Sequence, residues 1–432
     1  MLLPVSAFAA DIPSVKPPSP ELTAVSVTDS SGKIEWKDIT NAAGYNVYLR
    51  EETGKYTKLN NKAITDNYVR LVSLLNGVPY YFAVTSVNVA GAESPASPTG
   101  MVVPVGQATK VIPFKGGARA ADYRIFSVPF TSDRNRPQDV FAYFPPYDSR
   151  MWRLFEQRRD GFHEFHDITS IEPGKAYWFL SRNDTELFVS GKTVNNYEPF
   201  FVQLHPGWNV LGSPFLYPVE WEEVLKHNPD YSRFISPVIW DFNDGGFSRK
   251  ATLKPFEGYY VFNSFAGDVE MLIPPVPAAP RVVDEAVTPQ EVSYGNSQSD
   301  GGWLMRISVE GGTYSDMDNL IGIDPRAENG ADRMDMMEPP AWSQHISLYF
   351  ASSDAPGTRF ASEVRKSGGE WKFIVEGGDS HRPRISWQTL TGSHSAILID
   401  TAINKKVDMS KRDSYSFTRW DSSPREFVIS VR

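Results

Sequence analysis

The sequence predicts an all-β protein made of several modules in series. Its 31 glycines, 33 prolines and 13% aromatic residues surround many short runs rich in Val, Ile, Thr and Tyr. These residue types favour strands, and Gly and Pro favour the turns between them. A chain of 432 residues has room for about three or four domains. A third observation is that one stretch of the chain repeats another, which predicts a duplicated β-rich module.

The N-terminus has the features of the second half of a secretory signal. Residues 1–10 are largely apolar and include Ala7-Phe8-Ala9, the small-x-small pattern that signal peptidase accepts. The basic region that normally precedes this pattern is missing, so the segment is interpreted as a truncated signal peptide. No other stretch approaches the roughly 20 apolar residues of a membrane span. We therefore expect a secreted, extracellular or surface protein, with the periplasm as an alternative and without a membrane span.

Residues 17–104 contain seven short strand-like runs separated by turn residues, a pattern typical of an immunoglobulin-like sandwich. Trp36, Gly44–Tyr48 and Tyr80–Asn88 make this region resemble a fibronectin type III domain. The resemblance implies that Tyr80 forms a tyrosine corner and that Phe82 packs beside Trp36. Such residues contribute to the packed core, so the resemblance does not imply a ligand. The chain has no Arg-Gly-Asp triplet, and adhesion of the integrin type is not expected.

In the duplication, the segment Phe126–Phe130 corresponds to Leu211–Phe215. Each segment is followed by a tryptophan, a glycine-containing turn signal and a proline-tyrosine run, in the same order. The predicted equivalent pairs are Pro129 with Pro214, Trp152 with Trp240, and Tyr177 with Tyr259. We therefore assign residues 105–194 to copy 1 and residues 195–275 to copy 2 of one β-rich module. The segments loosely resemble a Gly-Trp-Asn-containing repeat of bacterial surface and secreted proteins. This resemblance does not imply a defined activity.

A Pro-rich stretch predicts a stiff linker at 276–299. Residues 300–432 contain seven further strand-like runs and are interpreted as a C-terminal antiparallel β-sandwich. This region resembles the C-terminal β-sandwich modules of multidomain secreted bacterial proteins, some of which serve in sorting or surface attachment.

One acidic cluster falls between the predicted strands of the C-terminal domain. It offers many oxygen ligands in what the sequence predicts to be a long loop, and calcium prefers six to eight such ligands. The spacing does not match an EF-hand, so a solvated acidic loop explains the same residues. The predicted calcium ligands are Asp316, Asp318, Asn319, Asp324, Asp332 and Asp335.

The remaining motifs argue against most catalytic classes. The net charge of −9 and the absence of a basic cluster argue against nucleic-acid binding. The absence of cysteine excludes thiolate chemistry and disulfides. There is no Gly-x-Ser-x-Gly elbow, phosphate loop or dinucleotide fingerprint. We therefore expect no catalytic residues and no cofactor other than calcium.

The sequence favours a non-enzymatic, exported bacterial protein that acts as a surface, matrix, scaffold or adhesion component. Its partner would be a protein or a polysaccharide at the cell surface, and its oligomeric state stays open. The alternative is a carbohydrate-binding or accessory protein of a polysaccharide-degrading system, with a hydrolase as a third and weaker interpretation. The aromatic residues least clearly assigned to a core, and so available for stacking on sugars, are Trp221, Trp342 and Trp420.

Overall fold

The computed structural model describes residues 16–51, 54–278, 302–332, 334–340, 345–351, 357–419 and 423–431. The predicted signal peptide at 1–10 and the predicted linker beyond Ala278 lie outside the described residues. The described chain divides into two compact units, one up to residue 108 and one from residue 109 onward. Each unit is described by itself.

The N-terminal unit is a sandwich of two antiparallel sheets with strand orders β1-β2-β5 and β4-β3-β6-β7. All seven predicted strands are present, which confirms the predicted fold class for this domain. The strands are β1 (Leu22–Thr28), β2 (Ser31–Trp36), β3 (Gly44–Glu51), β4 (Thr57–Lys58), β5 (Tyr68–Val72), β6 (Tyr80–Val87) and β7 (Gly100–Val102).

The core of this sandwich follows from alternation along the strands. Trp36 and Phe82 are fully buried, and the Trp36 ring meets Tyr45 edge-on with centroids 5.2 Å apart. The hydroxyl of Tyr80 accepts a hydrogen bond from the backbone N–H of Leu75 at 3.0 Å. The tyrosine corner predicted from the sequence is therefore confirmed, and it fixes the turn that leads into β6.

The two repeats follow, and their main sheets have the same strand order, β12-β11-β13-β9 in copy 1 and β19-β18-β21-β16 in copy 2. The duplication is therefore a repeat of structure as well as of sequence. The elements of copy 1 are β8 (Gln107–Phe114), β9 (Arg124–Ser127), β10 (Phe130–Thr131), α1 (Pro137–Val140), β11 (Trp152–Arg158), β12 (Gly161–Glu164), β13 (Ala176–Ser181) and β14 (Thr185–Thr193), with 3-10 turns at Ala120–Asp122 and Phe165–Asp167. Those of copy 2 are β15 (Phe200–Leu204), β16 (Gly207–Gly212), β17 (Val219–Glu220), α2 (Trp221–Lys226), β18 (Ile239–Asn243), β19 (Gly246–Lys250), β20 (Thr252–Leu253), β21 (Gly258–Asn263) and β22 (Val269–Ile273).

Strand register confirms one predicted pair of equivalent residues and corrects another. Tyr177 lies opposite Phe126, and Tyr259 lies opposite Leu211, so these tyrosines are equivalent. Each also accepts a hydrogen bond from the backbone N–H five residues earlier, at 3.1 Å.

The predicted match of Trp152 with Trp240 is wrong by three positions, although both lie in equivalent strands. Trp240 lies opposite Tyr260, and the residue in that position in copy 1 is Phe155, opposite Trp178. An aromatic residue alone cannot fix register in strands as rich in aromatics as these.

The two copies meet through a symmetric pair of backbone hydrogen bonds. The N–H of Ser127 in copy 1 donates to the carbonyl of Phe256 in copy 2 at 3.2 Å, and the N–H of Gly212 donates to the carbonyl of Gly174 at 3.1 Å. Each bond is the counterpart of the other, so the copies are related by a pseudo-two-fold axis. A Cβ at Gly258, beside this junction, would lie 2.3 Å from Ile125 Cγ2, which explains why glycine is required there.

A shared hydrophobic core lies behind this junction. Trp178 and Tyr260 are equivalent residues whose rings meet with centroids 5.9 Å apart, and both are almost fully buried. Leu320, Met336 and Ala361 of the C-terminal domain belong to the same cluster. The repeats and the C-terminal domain therefore bury apolar surface together, which is the main force that holds them in one unit.

The C-terminal domain is a sandwich of a five-stranded sheet, β27-β24-β23-β29-β32, and a six-stranded sheet, β26-β25-β28-β33-β30-β31. The pairing of β24 with β27 is parallel, an exception to the predicted antiparallel arrangement. Its strands are β23 (Trp303–Gly311), β24 (Tyr314–Ile323), β25 (Ile346–Ala351), β26 (Arg359–Phe360), β27 (Ser362–Arg365), β28 (Glu370–Gly377), β29 (Arg384–Thr391), β30 (Ala396–Asp400), β31 (Lys405–Asp408), β32 (Ser414–Ser416) and β33 (Arg425–Val431).

Replacing Tyr80 by Phe should weaken the N-terminal sandwich, because the N–H of Leu75 loses its partner. We expect the free energy of unfolding of residues 16–108 to fall by about 1 kcal/mol in urea denaturation. Tyr56→Phe is the matched control, since Tyr56 is 40% exposed and surface changes stay within about 0.5 kcal/mol. Equal stability of the Tyr80→Phe variant and the wild type would contradict the role of the corner.

Replacing Gly258 by Ala should strain the junction between the copies, because the new methyl group would overlap Ile125 and Ala176. We expect the free energy of unfolding of residues 109–432 to fall by about 1–3 kcal/mol, the usual range for overpacking. Gly369→Ala is the control, since the nearest atom to its Cβ would be 3.6 Å away. Similar effects from both changes would refute the close approach.

Candidate functional site

The strongest candidate site is a cleft in copy 1, where β10, α1 and β14 meet. Its volume is about 240 Å³. Phe130 and Ile171 line it, and both are buried. Tyr143 and Phe188 also line it, and their rings meet edge-on with centroids 6.5 Å apart. We call this feature the copy 1 cleft.

The two copies differ in sequence where Ser132 lines this cleft. The segments Phe126–Ser132 and Leu211–Tyr217 align without gaps, so Ser132 corresponds to Tyr217. The Tyr217 ring stacks on Phe215 at 5.1 Å with an angle of 3° between their planes, and only 2% of Tyr217 is exposed. Ser132 lines the copy 1 cleft together with Phe130 and has no ring to place beside it.

The copy 1 cleft combines exposed rings with hydrogen-bonding groups. Tyr143 is 86% exposed and Phe188 is 47% exposed. Asn135 and Arg134 line the cleft, and within the described part of the chain no hydrogen bond or ion pair uses their side chains. Asp139 also lines it and accepts a hydrogen bond from Arg136 at 3.1 Å. Apolar walls with a few polar groups are typical of small-molecule sites.

Sequence reasoning missed this site because it searched for unassigned tryptophans. Trp221 is 1% exposed, and its Nε1 donates to the carbonyl of Ser236 at 2.9 Å, so it is a core residue. Trp342 and Trp420 lie outside the described residues. The available clue was that the polar Ser132 stands two residues after the shared Pro-Phe pair, at the position where copy 2 has the aromatic Tyr217.

The acidic cluster is not the long loop that the sequence predicts. Asp316, Asp318 and Asn319 lie within strand β24, and only Asp324 and the residues after it follow that strand. A β-bulge occurs where Ile307 pairs with Asn319 and Val309 with Asp316. Bulges re-aim side chains, and here Asp316 is buried while Asp318 reaches the arginines of neighbouring strands.

The structure does not gather the six predicted calcium ligands at one point, and each of them has a protein partner. Asp316 accepts hydrogen bonds from Asn319 at 2.7 Å and from the N–H of Leu348 at 2.6 Å. Asp318 accepts one from the N–H of Arg249 at 3.0 Å. The other partners are Arg326 for Asp324, the N–H of Glu328 for Asp332, and the N–H of Val364 for Asp335. Among the described residues, no group of three or more His, Asp or Glu side chains is arranged to hold a metal ion. Calcium binding stays a prediction.

A buried carboxyl pair links the two sheets of the C-terminal sandwich. Glu338 and Asp316 are both buried, and Glu338 accepts a hydrogen bond from the hydroxyl of Ser347 at 2.8 Å. Burial raises the pKa of both groups above their ordinary values, and in Glu338 the neighbouring carboxylate raises the pKa further. Burial also raises the pKa of Asp335 to about 7. No sequence pattern predicts that Glu338 and Asp316 are neighbours, because only the folding of the sandwich brings them together.

Comparison with known proteins supports the assignment of the N-terminal unit. The fibronectin type III family model matches residues 16–101, so this segment is a fibronectin type III domain. Similar solved structures include an Fn3-like protein from Clostridium thermocellum, with 23% identity, 20% of this chain and 92% of that chain covered, and a TM-score of 0.17. A titin module from human cardiac muscle has 24% identity, 20% and 88% coverage, and a TM-score of 0.18.

The comparison with curated proteins gave no match. Within the described residues, the helices are too short and too polar to pass through a bilayer.

The Asp318 carboxylate should act as an interdomain anchor that does not depend on calcium. Removing it in Asp318→Ala leaves the Arg249 side chain, which is 5% exposed, without its partner. We expect a loss on the order of 3 kcal/mol in the stability of residues 109–432, equal in millimolar calcium and in chelator. A melting temperature that rises with calcium in the wild type, but not in Asp318→Ala or Asp324→Ala, would instead establish the calcium site.

The stability of residues 109–432 should fall as the pH rises from 5 to 8. Burial raises the pKa of Asp316 and of Asp335 to about 7, and it also raises the pKa of Glu338. The protonated forms of these acids therefore stabilise the fold at low pH, and that stability is lost as the pH rises from the ordinary carboxyl pKa of about 4 through the raised values of the folded state. Asp316→Asn should flatten this dependence in thermal unfolding. Asp324→Asn should not, because Arg326 lowers the pKa of Asp324. A flat wild-type profile between pH 5 and 8 would contradict the burial of these acids.

Proposed function

We propose that the chain is a non-catalytic, exported bacterial protein that acts as a surface, matrix or scaffold component. The observation that carries the proposal is the core shared by both repeats and the C-terminal sandwich. Trp178 and Tyr260 of the repeats and Leu320 of the sandwich belong to one buried cluster. Domains that share a core move as one body, which suits a protein that holds or spaces its partners.

A polar contact reinforces this shared core. Asp318 of the sandwich approaches Arg249 of copy 2 and Arg306 of its own sheet at 3.4 Å and 3.2 Å. A network of partly buried ion pairs with fixed geometry contributes more to orientation than isolated surface pairs do. The fibronectin type III domain adds a structural or binding module at the N-terminal end.

The placement of the titratable groups favours binding over catalysis. General acids and bases must reach the space that a substrate occupies. The Asp316–Glu338 pair lies inside the sandwich, where both side chains are buried. Among the described residues that line the copy 1 cleft, Asp139 is the one carboxylate.

Cell fractionation and surface labelling in the native bacterium test this proposal. We expect an antibody against the chain to label intact cells, and exogenous protease to remove that label. The purified chain should release no reducing sugar from a panel of plant, fungal and bacterial polysaccharides. Retention in the cytoplasm or turnover of any of these polymers would contradict the proposal.

A second candidate function is supported by the copy 1 cleft. Exposed rings beside hydrogen-bonding side chains suit a carbohydrate-binding or accessory role in a polysaccharide-degrading system. A glycan array separates this role from a purely structural one, because only the former predicts retention of defined oligosaccharides.

A further inference from the structure

We propose that the copy 1 cleft is a binding site for a glycan, with one sugar ring held inside it. The inference rests on the proposed function as a non-catalytic binding protein and names the ligand class and its site. Its starting point is the internal comparison that the duplication provides, because copy 2 carries the buried Tyr217 at the sequence position of Ser132.

Copy 2 indicates what shape the cleft accepts. There, the Tyr217 ring lies parallel to Phe215 with centroids 5.1 Å apart. In copy 1 the space beside Phe130 has a volume of about 240 Å³, below the roughly 300–1,000 Å³ of sites for drug-sized ligands. A ligand of about one ring, continuing into solvent at both ends, fits this space. Sugar units within a polysaccharide have this form.

The polar groups of the cleft fit a ligand that carries many hydroxyl groups. Hydroxyls both donate and accept hydrogen bonds, and the cleft offers both functions. Asn135 can donate and accept through its amide, Asp139 accepts, and Arg134 donates. A purely apolar ligand would leave these groups unpaired. The carboxylate of Asp139 is already paired with Arg136 at 3.1 Å, so the lining offers hydrogen-bonding groups of both kinds, which suit a polyol.

Exposed rings supply the remaining contacts. Tyr143 is 86% exposed and Phe188 is 47% exposed, so neither ring is explained by packing in the core. Rigid aromatic side chains lose little conformational entropy when they bind, and they dominate many recognition surfaces. The apolar C–H faces of a sugar ring can pack on these two aromatic rings while its hydroxyls reach the polar residues.

Isothermal titration of the full chain with cellohexaose, xylohexaose, chitohexaose and mannohexaose tests the site. We expect at least one of these oligosaccharides to bind, and Tyr143→Ala to weaken that binding about tenfold or more. Phe201→Ala is the matched control, because Phe201 is 56% exposed on copy 2, outside the cleft. We expect it to leave the affinity unchanged.

A second variant tests the cleft without removing a contact residue. Ser132→Tyr introduces the ring that copy 2 carries as Tyr217, and we expect it to fill the cleft and abolish binding while the circular dichroism spectrum and melting temperature are retained. The inference is overturned if none of the four oligosaccharides binds at millimolar concentration, or if binding survives both Tyr143→Ala and Ser132→Tyr.

The test of the glycan site and the test of the proposed function can fail independently of each other. A chain displayed at the surface that binds no oligosaccharide overturns the glycan site alone. A chain that binds an oligosaccharide in the cleft and also hydrolyses it overturns only the non-catalytic proposal.

Discussion

The contact between Trp178 and Tyr260 is the interaction on which the larger unit depends. These equivalent residues come from different copies, and the indole Nε1 donates to the tyrosine hydroxyl at 3.3 Å inside a core that also takes Leu320 from the C-terminal sandwich. Large aromatic rings stabilise a protein in proportion to the area that they remove from water. One copy alone would leave its half of this core exposed, so the repeats are interdependent parts of one structure.

Duplication leaves the two copies free to differ in side chains while their main sheets keep one strand order. Some framework residues are the same in both copies, as with the tyrosines Tyr177 and Tyr259, whose hydroxyls accept equivalent backbone hydrogen bonds, whereas the equivalent core residues Trp178 and Tyr260 differ. Ser132 is exposed and its sequence equivalent Tyr217 is buried. The glycan site that we propose lies at this difference between the copies.

The sequence was sufficient for features that depend on local pattern. The alternation around Trp36, the corner at Tyr80 and the repeated Pro-Phe segments all predicted their structural roles. Strand β24 was missed because Asp and Asn are poor strand formers, and its buried Asp316 is tolerated because Asn319 of the same strand and the N–H of Leu348 on the other sheet donate hydrogen bonds to it. Glu338 could not be anticipated for the same reason, since its neighbours are set by the tertiary fold. The exposure of the cleft residues Tyr143 and Phe188 is set by the tertiary fold, and the aromatic-rich sequence around them does not distinguish them from core residues.

The most direct test of the account is equilibrium urea unfolding of residues 109–432, followed in parallel by tryptophan fluorescence and far-ultraviolet circular dichroism. Because both repeats and the sandwich share one core, the account predicts a single transition with the same midpoint by both probes. Truncating Trp178 to Ala, in copy 1, should shift that whole transition to lower urea concentration. Two separated transitions, or a Trp178→Ala variant that unfolds the repeats while the sandwich keeps its original midpoint, would contradict the shared core.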